Sequence, residues 1–349
     1  MSVPGAAMPR QCGIIGARPE PADGATNVTR HRIAVAPMMD WTDRHCRYFM
    51  RLLSPGVQLY TEMVTAAAIR HGDADRLLRF DASEHPVAVQ LGGSDPAEMA
   101  EAAMKAGQAG YDEININVGC PSDRVQSGQF GACLMANPAL VAECYRAMQD
   151  ACDVPVTIKS RIGIDDNDSY DYLRRFVDPL VAAGVQKFIV HARVAILEGL
   201  SPKENRNVPP LKYDYVYRLK AEYPDLEIVL NGGITTAEQV ETALAEVDGV
   251  MIGRQAYHDP YFLAELESRF LSASGLPDRR EIVRSMLPYV ESQLAEGERL
   301  NRMTRHILGL FAGRPGARAW RRTLSENAHH FGAGSDVILQ ALDALPEAA

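Results

Sequence analysis

The run Asn115-Ile-Asn-Val-Gly-Cys-Pro121 places one cysteine and two amide side chains where an apolar, strand-like stretch, Glu113 to Val118, gives out. A cysteine inside a strand is ordinarily a small packed hydrophobe. Cys120 instead lies between a glycine and a proline, on a turn that carries its thiol outward. An unperturbed thiol titrates near pH ~8.5, so at neutral pH it holds a proton and can act as a general acid. A thiolate nucleophile would need positive charge close by, and no basic residue stands beside Cys120 in the sequence.

Other polar residues close other apolar runs in the same way. Ala36-Pro-Met-Met-Asp40 ends the first, Glu62 lies in the second and Gln90-Leu-Gly-Gly93 ends the third. Lys159 and Arg161 fall on the fifth, His191-Ala-Arg193 on the sixth, Asn231-Gly-Gly233 on the seventh and Gly253-Arg254 on the eighth. Singly these are weak signals, since a lone inward Lys or His is usually a satisfied core group and a Gly-Gly pair usually a plain turn. Together they are coherent. Glycines after the last two runs let backbone N–H groups approach a phosphate, and Arg254 adds charge, so they predict a phosphorylated cofactor. A buried lysine such as Lys159 also needs a counter-charge, because an unpaired cation in low dielectric costs several kcal/mol. An anionic cofactor supplies one.

The elements that position these residues are eight short β-branched runs: Ile33 to Met39, Leu59 to Val64, Val87 to Gly93, Glu113 to Val118, Val156 to Arg161, Phe188 to Arg193, Glu227 to Ile234 and Gly249 to Arg254. Amphipathic stretches of helix length separate them. Continuous apolar runs alternating with helices mean parallel β-α units buried on both faces. Helix starts are visible at Asp95-Pro96-Ala-Glu98 and at Thr235-Thr-Ala-Glu238. Eight units without a G-x-G-x-x-G fingerprint predict an α/β (β/α)8 TIM barrel over residues 31–271, with functional residues at the C-terminal strand ends. After Ser272 to Pro277 the pattern turns helical, with Leu300, Met303, Ile307 and Phe311 at helical spacing, and predicts a small C-terminal helical bundle over 278–345. Residues 1–30, rich in Pro, Gly and Ala, are expected to be a disordered extension.

At 349 residues, 46% hydrophobic and 23% charged, the chain has ordinary soluble composition. Its six cysteines form no C-x-x-C pair or zinc spacing, so no disulfide framework or metal site is expected and a reducing cytoplasm fits. No apolar run reaches the ~18 residues of a membrane span. The net charge of -9 argues against wholesale nucleic-acid binding, yet Arg299 to Ser325 holds seven arginines and no acid. A charge run is ordinarily a solvated face. Here Arg302 and Arg305, three apart, share one helix face, and Arg318, Arg321 and Arg322 share another.

The motifs Ala-Pro-Met-Met-Asp (36–40), Asn-Val-Gly-Cys-Pro-Ser (117–122), Lys-Ser-Arg-Ile-Gly (159–163), His-Ala-Arg (191–193), Asn-Gly-Gly-Ile (231–234) and Gly-Arg (253–254) resemble those of the tRNA-dihydrouridine synthases. Gly-Leu-Ser-Pro-Lys-Glu-Asn-Arg (199–206) and Thr-Arg-His-Ile-Leu-Gly-Leu-Phe (304–311) resemble the A-type members in particular. The resemblance implies an FMN-containing barrel with a helical tRNA-binding domain. Such an enzyme reduces uridine to dihydrouridine in the D-loop of tRNA, at positions 20 and 20a, using NADPH. It further implies that Pro37, Met38, Met39, Gln90, Lys159, His191, Asn231, Gly232, Gly233, Gly253 and Arg254 hold FMN, and that Cys120 is the proton donor. Asn117 would face the same cavity and bond a flipped-out uracil, unless its amide serves only the turn. Lys203 and Arg206 at the barrel mouth, with Arg302 and Arg305, would grip the RNA through its phosphates. A monomer is expected.

One departure stands out: where A-type members commonly carry a Lys and a Trp after His-Ala-Arg, this chain has Val194-Ala-Ile196. Two rivals explain less. A flavin barrel acting on a free pyrimidine, of the dihydroorotate dehydrogenase kind, leaves the basic helices without a purpose. A non-catalytic tRNA-binding protein leaves Lys159, His191 and the glycines unexplained.

Overall fold

The computed structural model describes residues 32–122, 125, 128–272 and 275–346. The expected extension over 1–30 lies outside the described residues, as does Cys12. Eight parallel strands form one sheet: β1 (Ile33–Val35), β2 (Leu59–Thr65), β3 (Val87–Gly92), β4 (Glu113–Val118), β5 (Val156–Arg161), β6 (Lys187–His191), β7 (Glu227–Asn231) and β8 (Gly249–Ile252). From β2 to β8 each pairs with its sequence neighbour, and β1 pairs with β8. Gln58, just before β2, closes the ring on β1: Val35 N donates to Gln58 O at 2.9 Å and Gln58 N to Ile33 O at 3.0 Å. The result is a (β/α)8 barrel.

The helices between strands are α1 (Arg44–Leu53), α2 (Ala66–His71), α3 (Ala74–Leu77), α4 (Pro96–Ala109), α5 (Pro138–Ala151), α6 (Tyr170–Ala182), α7 (Tyr213–Glu222) and α8 (Ala237–Leu244). All of them but α7 start on a side-chain cap. Asp43 accepts from His45 N and Cys46 N at the head of α1, and Asp95 from Glu98 N ahead of Pro96 in α4. At α8 the capping box is formed by Thr236 and Gln239, one residue later than the Thr235 to Glu238 reading. After β8 come α9 (Arg254–His258), α10 (Phe262–Leu266) and a π-helical turn (Glu267–Leu271). The chain then runs through α11 (Arg279–Ala295), α12 (Leu300–Ile307), α13 (Ala317–Asn327) and α14 (Asp336–Asp343).

Side chains alternate with period two along every strand. Outward residues such as Ile114, Ile116 and Val118 join the large core beneath the helices. Inward residues Ala34, Ala36, Tyr60, Ala88, Ile189, Val229 and Met251 fill the lumen. At the N-terminal end the lumen is closed by charge. Lys187 Nζ sits 3.0 Å from both Glu113 Oε2 and Glu227 Oε1, while Tyr60 OH and Thr157 Oγ1 donate to Glu113 Oε1 at 2.5 and 2.7 Å. Burial pulls the Lys187 ammonium down, but the two carboxylates outweigh it and hold it above the usual lysine range.

The C-terminal helices dock on α1 through polar clasps. Arg44 donates to Glu298 at 2.8 Å and to Gln293, His45 Nδ1 lies 2.8 Å from Tyr289 OH, and His306 Nε2 lies 3.1 Å from Asp43. Trp320, fully buried, packs edge-on to Phe311 and donates its indole N–H to Ile307 O.

Removing one partner of a buried ion cluster leaves the other uncompensated. Lys187→Met should therefore cost about 3–5 kcal/mol in urea unfolding at neutral pH. Glu227 already has a pKa raised by burial against the opposing pull of Lys187, so without the lysine its folded form binds protons still more readily than its unfolded form. The deficit should then shrink as pH falls and grow as it rises. A deficit independent of pH would show that the carboxylates do not carry it.

Candidate active site

The C-terminal ends of the strands open into a cavity of about 1020 Å³. Its lining includes every residue read from the sequence as cofactor-binding: Pro37, Met38, Met39, Gln90, Lys159, His191, Asn231, Gly232, Gly233, Gly253 and Arg254. Cys120, Asn117, Arg206 and Arg302 also line it, whereas Lys203 and Arg305 lie outside the lining. Pairing explains the convergence: Asn117 is in register with Lys159, Arg161 with His191, and His191 with Asn231, so neighbouring strands deliver their last inward residues at one level.

A chain of amides holds the cysteine turn. Asn115 Nδ2 donates to Thr157 Oγ1 at 2.8 Å, Gln90 Nε2 to Asn115 Oδ1 at 2.9 Å, and Asn117 Nδ2 to Gln90 Oε1 at 2.7 Å. Asn117 Oδ1 then accepts from both Gly119 N and Cys120 N at 3.0 Å. Asn117 thus does the turn-stabilising work, and one N–H of its amide is left for a ligand. The half-buried Cys120 thiol lies 3.4 Å from Ser122 Oγ.

The electrostatics are those of a cation cluster. Lys159 has no hydrogen bond and no acid within 4 Å among the described residues, and burial, with Arg161 alongside, brings it down to about 7. Arg161 is brought down to about 10 by burial, and His191 falls well below its usual range for the same reason, reinforced by Arg161 and Lys159. The ionised form of Cys120 interacts favourably with Lys159, Arg161 and Arg206. The sequence showed no cation beside the thiol; folding brings three from β5 and from the loop after β6.

That loop is organised by Asn205, fully buried, whose amide accepts from Ile196 N and donates to Ile196 O and Leu200 O. Arg254 Nη2 donates to Arg206 O at 3.2 Å and to Asn207 Oδ1 at 2.7 Å, fixing the loop's other side. The sequence offered Asn205 only as part of the 199–206 motif and Asn207 not at all: the first matters through the backbone of Ile196 and Leu200, the second through the Arg254 guanidinium. Val194 is buried and Ile196 packs against the core, so the two departures from the A-type pattern sit as packing residues.

Arg302, at the edge of the cavity, and Arg305, outside it, are both exposed on α12; Arg302 is 3.9 Å from Glu298, and Arg305 donates to Asp40 O at 2.8 Å. Arg318, Arg321 and Arg322 are exposed on α13 without an ion pair among the described residues. No group of three or more metal-ligating side chains is found among the described residues, and no helix there is long and apolar enough to cross a membrane.

A closed parallel barrel with a polar cavity at its C-terminal mouth, an uncompensated cation inside and a thiol at the rim is the build of a barrel enzyme for an anionic ligand. The profile of the dihydrouridine synthase family (Dus) matches residues 34–348, and the chain belongs to that family. It is 58% identical over 306 residues to the tRNA-dihydrouridine(20/20a) synthase of Shewanella oneidensis, covering 87% of this chain and 91% of the relative. The like-named protein of Xanthomonas axonopodis pv. citri is 59% identical over 312 residues (89% and 93%), and that of Escherichia coli O6:H1 is 54% identical over 324 (92% and 98%).

Gly232 has φ +116°, and a Cβ there would lie 2.6 Å from His191 Cδ2. Gly232→Ala should therefore cost roughly 3 kcal/mol in chemical denaturation, strain plus clash. Gly313→Ala, also at positive φ (+73°) but with no atom within 4 Å of the added carbon, should cost only about 1 kcal/mol. Equal losses would mean that the contact with His191 is not what demands the glycine.

Proposed function

We propose that the protein reduces uridine to 5,6-dihydrouridine in the D-loop of tRNA, at positions 20 and 20a, as an FMN enzyme that takes its electrons from NADPH in the cytoplasm. Family membership supports the reaction, and the names of relatives at 54% to 59% identity support the positions.

The observation that carries the cofactor is Lys159, a cation facing the cavity with no acid against it. The lining fits FMN. The ring would lie among Pro37, Met38, Met39, Gln90, Lys159 and His191. The phosphate would lie at Asn231, Gly232, Gly233, Gly253 and Arg254, where a Cβ on Gly253 would meet nothing within 4 Å. Bound there, FMN supplies the hydride that C6 of uracil accepts.

Cys120 supplies the proton. Its S–H bond breaks, the proton goes to C5 of the uracil, the electron pair stays on sulfur, and the C5–C6 double bond becomes single. The remaining Asn117 N–H points the base. A uridine must leave its stack to reach the cavity floor, so the RNA around it needs a grip. Lys203 and Arg206 at the mouth, with Arg302 and Arg305 on α12, provide that grip through phosphates.

The test is mass spectrometry of unmodified tRNA incubated with the enzyme, FMN and NADPH. Dihydrouridine at positions 20 and 20a is expected, with Cys120→Ala slowing its formation by roughly 10²- to 10⁴-fold. A flavin-loaded protein that leaves the tRNA unmodified would overturn the reading.

Lys159 makes a second outcome measurable. Its ammonium titrates near pH 7 with no partner, and a ligand atom that accepts a hydrogen bond from it favours the charged form and raises that value, so FMN binding above pH 7 should take up protons. Affinity should fall as pH rises, by at most about tenfold per unit from this group. Calorimetry at pH 8 in buffers of different ionisation heat should show uptake that disappears in Lys159→Met. Uptake persisting in that variant would assign it elsewhere.

A further inference from the structure

Arg161 lines the cavity, and neither cofactor nor substrate gives it a task. Only 4% exposed, it has no acidic partner among the described residues; the sole anion that favours its charged form is the ionised Cys120. Its donors go to backbone carbonyls on two different loops. Nε gives a bond to Gly119 O at 3.1 Å, and Nη1 gives bonds to Val194 O at 3.3 Å and Asn205 O at 3.1 Å. One planar guanidinium therefore ties the turn that ends in Cys120 to the loop that ends in Arg206.

Burying a guanidinium against carbonyls alone is costly, and neutral partners do not repay it fully. A lysine gathers its donors on one nitrogen at the end of a flexible stem, whereas the rigid fork of Arg presents Nε to one loop and Nη1 to the other. Lys159, two residues earlier on the same strand, cannot substitute: both residues line the cavity, but among the described residues Lys159 makes no bond to either loop.

We propose that Arg161 is the positioning residue of the proton donor. It fixes the Cys120 turn through the Gly119 carbonyl, and it keeps a permanent positive charge beside the sulfur for the thiolate that remains once the proton has left. The inference rests on the reading of Cys120 as that donor. It adds a division of labour between two neighbouring cations: Lys159 serves the anionic ligand and Arg161 serves the acid.

The test uses Arg161→Met and Arg161→Lys in the full chain. The first readout needs neither tRNA nor reductant: the rate at which iodoacetamide alkylates Cys120 at pH 7.5, followed by mass spectrometry of its peptide. Arg161→Met should slow alkylation about tenfold, because the turn loses the positive charge bound at the Gly119 carbonyl, and Arg161→Lys should restore part of the rate. A merely structural role predicts the opposite, since a loosened turn exposes the thiol and speeds the reaction. The second readout is single-turnover kinetics of the flavin-loaded enzyme. Flavin reduction should be unchanged in both variants, while reoxidation by tRNA should slow about 10²-fold in Arg161→Met. Alkylation at or above the wild-type rate in both variants would overturn the proposal. Should Arg161→Met not fold, Arg161→Lys alone decides between slower and faster alkylation. Should wild-type protein leave tRNA unmodified while alkylation still slows in the variants, the tRNA reading fails and the coupling of Arg161 to Cys120 stands.

Discussion

Positive charge buried without acid at one end of the barrel is the constraint around which the site is arranged. The same lumen handles a lysine in two ways. At the N-terminal end Lys187 is sandwiched between Glu113 and Glu227, and its ammonium is held above the usual range. At the C-terminal end Lys159 has Arg161 as its neighbour in place of carboxylates, and is brought down to about 7. The first arrangement is complete within the chain; the second is completed by something else. His191 extends the contrast, since burial among these cations keeps it neutral and free to present a ring nitrogen.

Holding such a cluster open requires rigidity that apolar packing alone does not provide, and hydrogen-bonded amides supply it. Thr157, Asn115, Gln90 and Asn117 form a continuous line from the lumen to the backbone N–H groups of Gly119 and Cys120. All four side chains are buried, so each bond lies in a low-dielectric setting where a missing partner is costly. The line begins at Thr157, which also donates to Glu113 of the lower ion cluster. The two ends of the barrel are thereby joined through polar contacts as well as through the lattice of strands.

Much of this was legible in the sequence, and the misses have physical causes. The bounds of β4 and β5 agree with the sequence reading because their apolar runs stop where pairing stops. The first, sixth, seventh and eighth runs were read too far, to Met39, Arg193, Ile234 and Arg254, although pairing ends at Val35, His191, Asn231 and Ile252. Residues such as Ala36, Ala192 and Ile234 are buried after their strands end, and burial reads as strand in a one-dimensional pattern. The cavity lining was legible partly because polar residues close the apolar runs and partly through the family resemblance, since Pro37, Met38, Met39, Gly232, Gly233, Gly253 and Arg254 lie past the ends of their strands. The cations around Cys120 were not, since they lie some forty to ninety positions away and meet the thiol only through barrel closure. Arg161 was noticed for its place on β5; its bonds to two loop carbonyls have no counterpart in a residue pattern.

Docking of the C-terminal helices bears on the same site. Asp43 caps α1 through His45 N and Cys46 N and also accepts from His306 of α12, which holds its pKa at about 2 despite the opposing effect of burial. Arg305 of α12 reaches the carbonyl of Asp40, one residue beyond Met39. The segment that carries Met38 and Met39 into the cavity is therefore anchored by the helix that carries Arg302 over its rim. Phosphate contacts made on α12 would act on the cavity wall without an intervening flexible linker. The loop after β6 is different in kind: Val194 and Ile196 turn into the core, which leaves the RNA contacts proposed for it to Lys203 and Arg206. With Arg206 held between the bonds of Arg161 and Arg254, a change of size at Val194 or Ile196 would move a charge at the cavity rather than create a new surface.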